Sequence, residues 1–215
     1  MPDMEELRRN MVERQIARRG IADASVLRAM GEVPRERFIA AHLRAHAYDD
    51  MPLPVEAGQT ISQPYIVARM IEAAALGAGD RVLEVGVGSG YAAAIMSRIA
   101  AHVWAIDRHS ELTQLAQCRL AELHYDNVSV RTADGTRGWP EEAPFNAIIV
   151  SAGAPAAPAP LMTQLAIGGR MVIPVGGVGE QRLIRLIRRD KDDYQRDELE
   201  AVRFVPLIGA HGWRA

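Results

Sequence analysis

A single cysteine, Cys118, stands in 215 residues, so no disulfide can form within the chain. Neither sign of charge is in excess: 25 Lys and Arg oppose 27 Asp and Glu, a formal net charge of −2 with the six His neutral, and the pI is about 6.3. That balance argues against a dedicated nucleic-acid binder, which needs a surplus or stripe of cations to meet phosphates. No apolar run approaches the roughly 18 residues that a membrane span requires, so the hydrophobic segments must belong to a water-surrounded core. The opening MPDMEELRRNMVERQIARRG is too charged to read as a signal peptide, and the expected location is the cytoplasm. Internal repeats and low-complexity tracts are also missing. The length suits one large domain with a sizeable core and excludes a long array of small ones.

What is present divides into three stretches. Residues 1–50 read as helical: Met4, Leu7, Met11 and Ile16 recur at near-helical spacing up to Gly20, a natural left-handed cap, and Asp23 can cap a second helix carrying Val26, Leu27 and Met30 before Pro34 interrupts it. Residues 51–65, MPLPVEAGQTISQPY, lose periodicity and gather three prolines, the mark of a loop or of short extended pieces. From 66 onward helical spacing returns, and then short apolar strands alternate with helices. Strands are expected at 82–85, 102–106, 128–130, 147–150 and 170–173, with helices over 91–99, 111–123 and 161–165. Strands joined by helical crossovers imply an α/β fold with a mostly parallel, doubly wound sheet. Residues 182–187 and 201–205 flank the polar run RRDKDDYQRDE and read as an antiparallel hairpin at the sheet edge.

The sharpest local signal is Glu84-Val85-Gly86-Val87-Gly88-Ser89-Gly90, where the first of these strands meets a helix. Glycines there permit a tight turn and bring a ligand close to bare backbone; a purely structural turn would look the same. Asp107 ends the next strand, 21 residues beyond Gly86, where an acid can accept from both hydroxyls of a ribose. The third glycine falls one residue early for the usual dinucleotide fingerprint, and GxxxxGK[ST] does not occur. A ligand with a ribose and no phosphate fits better, and S-adenosylmethionine is the common one. Asp134, in Ala133-Asp134-Gly135, either accepts from an adenine amino group or merely forms a turn.

Gly58-Gln59-Thr60-Ile61-Ser62-Gln63-Pro64-Tyr65, followed by Val82–Tyr91, closely resembles the protein-L-isoaspartate (D-aspartate) O-methyltransferase family. Further similarity lies in Val33–Phe38, Asp134-Gly135, Ala143–Val150, Leu161–Leu165, Pro174–Gly176 and Val202–Leu207. The resemblance covers nearly the whole chain, and GQTISQP is more specific than the glycine turn, which class I methyltransferases share. It implies a Rossmann-like class I S-adenosylmethionine-dependent methyltransferase fold over residues 1–215, with a helical extension (1–50), a substrate and cofactor loop (51–65) and the core (66–215). It implies methyl transfer to the free carboxylate of L-isoaspartyl and D-aspartyl residues of damaged proteins, whose ester then closes to a succinimide. Ser62 matches the family's catalytic serine. The implied cofactor contacts are Gln59, Thr60, Ile61, Glu84, Gly86, Val87, Gly88, Asp107, Arg108, Asp134 and Gly135, and Pro206-Leu207-Ile208 matches a segment that closes over the cofactor. The expected partners are isoaspartyl proteins and peptides, with neither nucleic acid nor membrane, and the expected state is a monomer.

Three positions depart from the family pattern. Val87 stands where a hydroxyl residue is common, Asn146 replaces a common Asp, and Ile208–Trp213 lacks a polar residue after Pro-Leu. The first two open a reading in which another carboxylate or peptide accepts the methyl; a non-catalytic S-adenosylmethionine-binding module is a third reading, opposed by Ser62, Asp107 and Asp134. An acceptor carboxylate is already ionised at neutral pH, so no strong base is needed, and Ser62 is expected to orient the acceptor by a hydrogen bond. The histidines, including His42 and His46 four apart, lack zinc-like spacing with Cys or carboxylates, and no metal is expected. Cys118 reads as a small buried side chain.

Overall fold

In a computed structural model, which describes residues 3–214, the N-terminal stretch is a chain of short helices. Helix α1 (Met4–Asn10) is capped by Asp3, whose carboxylate accepts from the N–H groups of Glu5 and Glu6. It runs on through a π-helical stretch, Met11–Ile16, and a 3-10 turn, Ala17–Arg19, to Gly20 at φ 97°. Helix α2 (Ala24–Glu32) starts at Asp23, whose Oδ1 accepts from Ser25 N (2.8 Å) and Val26 N (3.1 Å). The proline-rich stretch then forms a two-stranded antiparallel hairpin, β1 (Leu53–Pro54) with β2 (Thr60–Ile61), and helix α3 (Pro64–Ala74) follows with proline in its first turn.

The sheet comprises β3 (Arg81–Val85), β4 (His102–Asp107), β5 (Val128–Thr132), β6 (Phe145–Val150), β7 (Leu165–Gly177), β8 (Glu180–Arg188) and β9 (Tyr194–Val202), in the order β5-β4-β3-β6-β7-β8-β9. The first five strands pair in parallel and the last two add antiparallel. Helices α4 (Tyr91–Ser97), α5 (Ser110–Glu122) and α6 (Ala159–Thr163) make the crossovers. Successive strand residues face opposite sides, and two cores result. Val82, Val103, Ala105, Ala147 and Ile149 pack with Met11, Ile16, Phe38, Met70 and Ile95, so the N-terminal helices share a core with one sheet face. Leu83, Val85, Ile106, Ile148 and Met171 pack on the other with Leu161 and Leu207.

Two expectations need correction. The second arm of the hairpin is Tyr194–Val202, not 201–205, because the polar run contributes an edge strand whose outer side is charged; Arg185 pairs with Asp197 across it at 2.8 Å. Charges on an edge discourage pairing with another chain, and apolar patterning does not reveal such a strand. Cys118 is exposed. Helix α5 buries Leu112, Thr113, Ala116 and Leu120, and a residue two beyond Ala116 lies about 200° round the helix.

Beyond β9 the chain returns to the carboxyl ends of the parallel strands. Gly153 N donates to Val205 O and Leu207 N donates to Gly153 O, both at 2.8 Å, which lays residues 205–208 across the top of the sheet as a strap. No helix among the described residues is long and apolar enough to cross a membrane. Leu83 is fully buried on β3, so Leu83→Ala is expected to lower the unfolding free energy by about 2–5 kcal/mol, read from urea denaturation.

Candidate active site

The glycine turn leaves β3 and bends back on β4, for Gly86 N (2.7 Å) and Val87 N (3.0 Å) both donate to Ile106 O. Gly86 and Gly88 hold φ of 93° and 51°, a region in which a side chain meets its own backbone. Asp107 fastens the turn: its Oδ2 accepts from Gly88 N at 3.1 Å and its Oδ1 from His109 N at 3.0 Å. Each oxygen keeps further lone pairs.

Around this turn lies a cavity of about 300 Å³. Asp107, Arg108, Gly86 and Gly88 form one side, Gln59 and Thr60 of the hairpin another, and Gly135, Ile106 and Leu112 a third, while Pro206, Leu207 and Ile208 close it over. A second cavity, a cleft of about 680 Å³, contains Ser62 with Arg19, Tyr65, Glu200, Arg203, Phe204 and Val178. Thr60, Ser151 and Val205 line both and form their common wall. The cleft's own charges are largely engaged: the Arg19 guanidinium pairs with Asp50 and lies 3.5 Å over the Tyr65 ring, Glu200 pairs with Arg69 at 3.1 Å, and Arg203 Nε donates to Gly179 O at 3.0 Å. Among the described residues no histidine lines the cleft, so Ser62 has no histidine relay there.

Several of the residues singled out in the sequence lie outside both cavities. Ile61 is buried, and Val87 is buried in the core shared with the N-terminal helices, so a hydroxyl at 87 would point away from the cavity. Asn146 accepts from Arg81 N at 2.9 Å at the opposite end of the sheet. Asp134 does not line the cavity; its carboxylate accepts from Thr136 Oγ1 (2.6 Å), Thr136 N (3.0 Å) and Ala210 N (2.9 Å). Burial raises its pKa, but these bonds and the Arg137 cation outweigh that and hold it below the usual carboxylate range. Ser151 and Ala152, just past β6, were not singled out in the sequence. The general tendency of parallel sheets to bind ligands at strand carboxyl ends would have found them.

Glu84 lies beneath the turn, buried, with its Oε2 lacking any hydrogen-bond partner. Burial first, and the Asp107 carboxylate second, push its pKa well up. The cavity therefore joins an acid with free acceptor positions, glycine backbone and an apolar wall, while Glu84, a further residue singled out in the sequence, lines neither cavity and lies buried beneath them. That set suits a ribosyl purine.

The family model described as protein-L-isoaspartate(D-aspartate) O-methyltransferase matches residues 6–212. A protein-L-isoaspartate O-methyltransferase 2 of Pelobacter propionicus is 56% identical over 97% of this chain and 94% of its own, and a protein-L-isoaspartate O-methyltransferase of Brucella anthropi is 52% identical over 99% and 98%. Among solved structures, a protein-L-isoaspartate O-methyltransferase superposes with a TM-score of 0.86 at 29% identity, covering 95% of this chain and 67% of that one. A second, from Plasmodium falciparum in complex with S-adenosyl-L-homocysteine, gives 0.81 at 26% identity over 97% and 99%.

A raised carboxyl pKa makes the protonated form the one the fold favours. Its contribution to stability is complete below the ordinary glutamate pKa and is lost as the pH climbs through the raised value. Glu84→Gln removes that loss. The ligand-free variant is expected to match the parent's melting temperature at acidic pH and to exceed it increasingly at alkaline pH; parallel melting curves across the range would refute the assignment.

Proposed function

The chain belongs to the protein-L-isoaspartate(D-aspartate) O-methyltransferase family and transfers a methyl group from S-adenosyl-L-methionine to the free carboxylate of isoaspartyl residues; within that activity we propose that the smaller cavity receives the donor and the Ser62 cleft the damaged segment. The observation that carries this reading is the shared wall: Thr60, Ser151 and Val205 border both spaces, so a group held in one meets a group held in the other there. S-adenosylmethionine supplies, when bound, a methyl on a cationic sulfur. Asp107 has the lone pairs to hold the ribose hydroxyls and Ile106 and Leu112 the apolar surface for the purine, while Glu84, buried beneath the turn, bears on the donor only through the turn.

The acceptor carboxylate arrives ionised, so the residues of the cleft have to orient it and exclude water. Ser62, half-buried in the cleft, donates a hydrogen bond to one carboxylate oxygen and leaves the other to react. Thr60 and Ser151 place two more hydroxyls at the common wall. Val87 and Asn146, the sequence's grounds for a different acceptor, touch neither cavity, and that alternative loses its support. In this reading the enzyme is a cytoplasmic monomer acting on isoaspartyl proteins away from nucleic acid and membranes, in keeping with its near-neutral charge. Residues 1–50 serve as an extension that walls the cleft through Arg19.

Labelled S-adenosylmethionine with a synthetic isoaspartyl peptide and its aspartyl twin tests the reading. Base-labile label is expected on the isoaspartyl peptide alone; label on neither, with donor binding intact, would assign the site to another acceptor. Ser62→Ala should cost about 10- to 100-fold in kcat/KM, the worth of one hydrogen bond to a charged group, with donor affinity unchanged. A stable serine adduct found by mass spectrometry would contradict its orienting role.

A further inference from the structure

The hairpin β1–β2 forms a sheet of its own, outside the seven-stranded one, yet it brings Gln59 and Thr60 to the cavity walls and hands the chain on to Ser62. Its open end is held by packing, for Leu53 and Ile61 are buried in the core shared with the N-terminal helices. Its turn end is held by charge: Arg119 Nη2, on α5, donates to Glu56 Oε1 at 2.7 Å. Among the described residues this is the only hydrogen bond from 53–61 to the rest of the protein. Between Glu56 and Gln59 the backbone is left-handed at Ala57 (φ 54°) and at Gly58 (φ 65°), and a non-glycine residue keeps such a conformation only where its surroundings impose it. Gln59 takes its bearing from that turn, since its Nε2 donates to Ala57 O at 3.2 Å. Helix α5 is itself part of the donor cavity through Leu112, and Arg119 follows seven residues later, two turns along the same helix face.

We propose that Arg119 and Glu56 are positioning residues for methyl transfer: the pair pins the hairpin's turn to the helix that walls the donor cavity, and so sets where Thr60 and Ser62 stand between donor and acceptor. Neither residue lines a cavity, so the pair acts through the hairpin. Ion pairs in open water contribute little, but these side chains are only 15% and 28% exposed, and the second atoms, Arg119 Nη1 and Glu56 Oε2, are buried without a partner. Removing either member strands the other charge in a poorly solvated place, and the turn loses its one polar tie. Transfer to a carboxylate depends on alignment, and a displacement of about 1 Å in a positioning group can cost about 100-fold in rate.

The inference rests on the reading that donor and acceptor occupy the two cavities, and the test separates the two. Arg119→Ala, Glu56→Ala and the double variant are made in the full chain, beside Gln117→Ala. That control removes a different bond of the same helix, Gln117 Nε2 to Val130 O at 3.0 Å, and leaves the hairpin alone. Turnover of an isoaspartyl peptide at saturating S-adenosylmethionine gives kcat and KM, and hydrogen exchange of the ligand-free chain reports the hairpin through the Val55 and Gln59 amides, whose bonds close the turn. Each single alanine variant is expected to lower kcat about tenfold and to speed exchange at Val55 and Gln59, with exchange in β3 and β4 unchanged. The double variant should be no slower than either single one, the mark of two residues acting as one device. Gln117→Ala should lower the melting temperature slightly and leave kcat as in the parent.

Unchanged kcat in both single variants would overturn the proposal, as would losses that add in the double variant or an equal loss in Gln117→Ala. Unaltered exchange at Val55 and Gln59 would overturn the pin whatever the cavities hold. If Arg119→Ala fails to fold, Glu56→Ala, which alters only the turn, still decides the matter. Slowed turnover in the alanine variants beside a Ser62→Ala variant as active as the parent would overturn the assignment of the cleft and leave the pin standing through Thr60.

Discussion

The bond network between Asp107 and the glycine turn is what the site is built on. β3 and β4 end side by side, and without a tie the loops beyond them would be free to diverge. Ile106 O collects two N–H groups from the turn, and Asp107 then spends one lone pair of each oxygen on Gly88 and His109. The backbone beside the cavity is thereby fixed before any ligand arrives, which is the condition for binding without a large ordering cost. The helical N-terminal segment contributes from behind: its Phe38 packs at 5.7 Å on the Tyr91 ring at the start of α4, holding the helix that the turn leads into.

That arrangement places two carboxyl groups close together in a poorly solvated spot, and they are treated differently. Asp107 borders the cavity and has backbone donors, whereas Glu84 lies beneath, with one oxygen unpartnered. An unpaired buried carboxyl costs stability in its charged form, which is the type of local conflict that a folded protein tolerates where a ligand will resolve it.

The sequence made the parallel part of the sheet readable because buried strands are short apolar runs separated by helical spacing: 82–85, 102–106 and 128–130 fall inside β3, β4 and β5. Asp107 and the glycines were legible for a related reason, since their spacing is local to one strand–turn–helix–strand unit. The antiparallel edge was misplaced because Tyr194–Val202 carries a charged or polar run over 195–198 and places only Tyr194, Leu199 and Val202 against the cores. Asp134 illustrates a different limit. Its partner Ala210 lies 76 positions away, and no local pattern distinguishes an acid that grips a distant turn from one that faces a cavity. Ser151 was missed only because a lone serine after a strand carries no pattern of its own.

Cys118 sits on the water-facing side of α5, opposite Leu112 and Ala116, and it is the sequence's single thiol. Its capacity for disulfide formation is therefore one bond. Two molecules of this chain can be joined through sulfur, but a third has no free sulfur to attack. Disulfide-linked material stops at a covalent pair joined helix to helix, with no ladder of larger species, and Cys118 lines neither cavity.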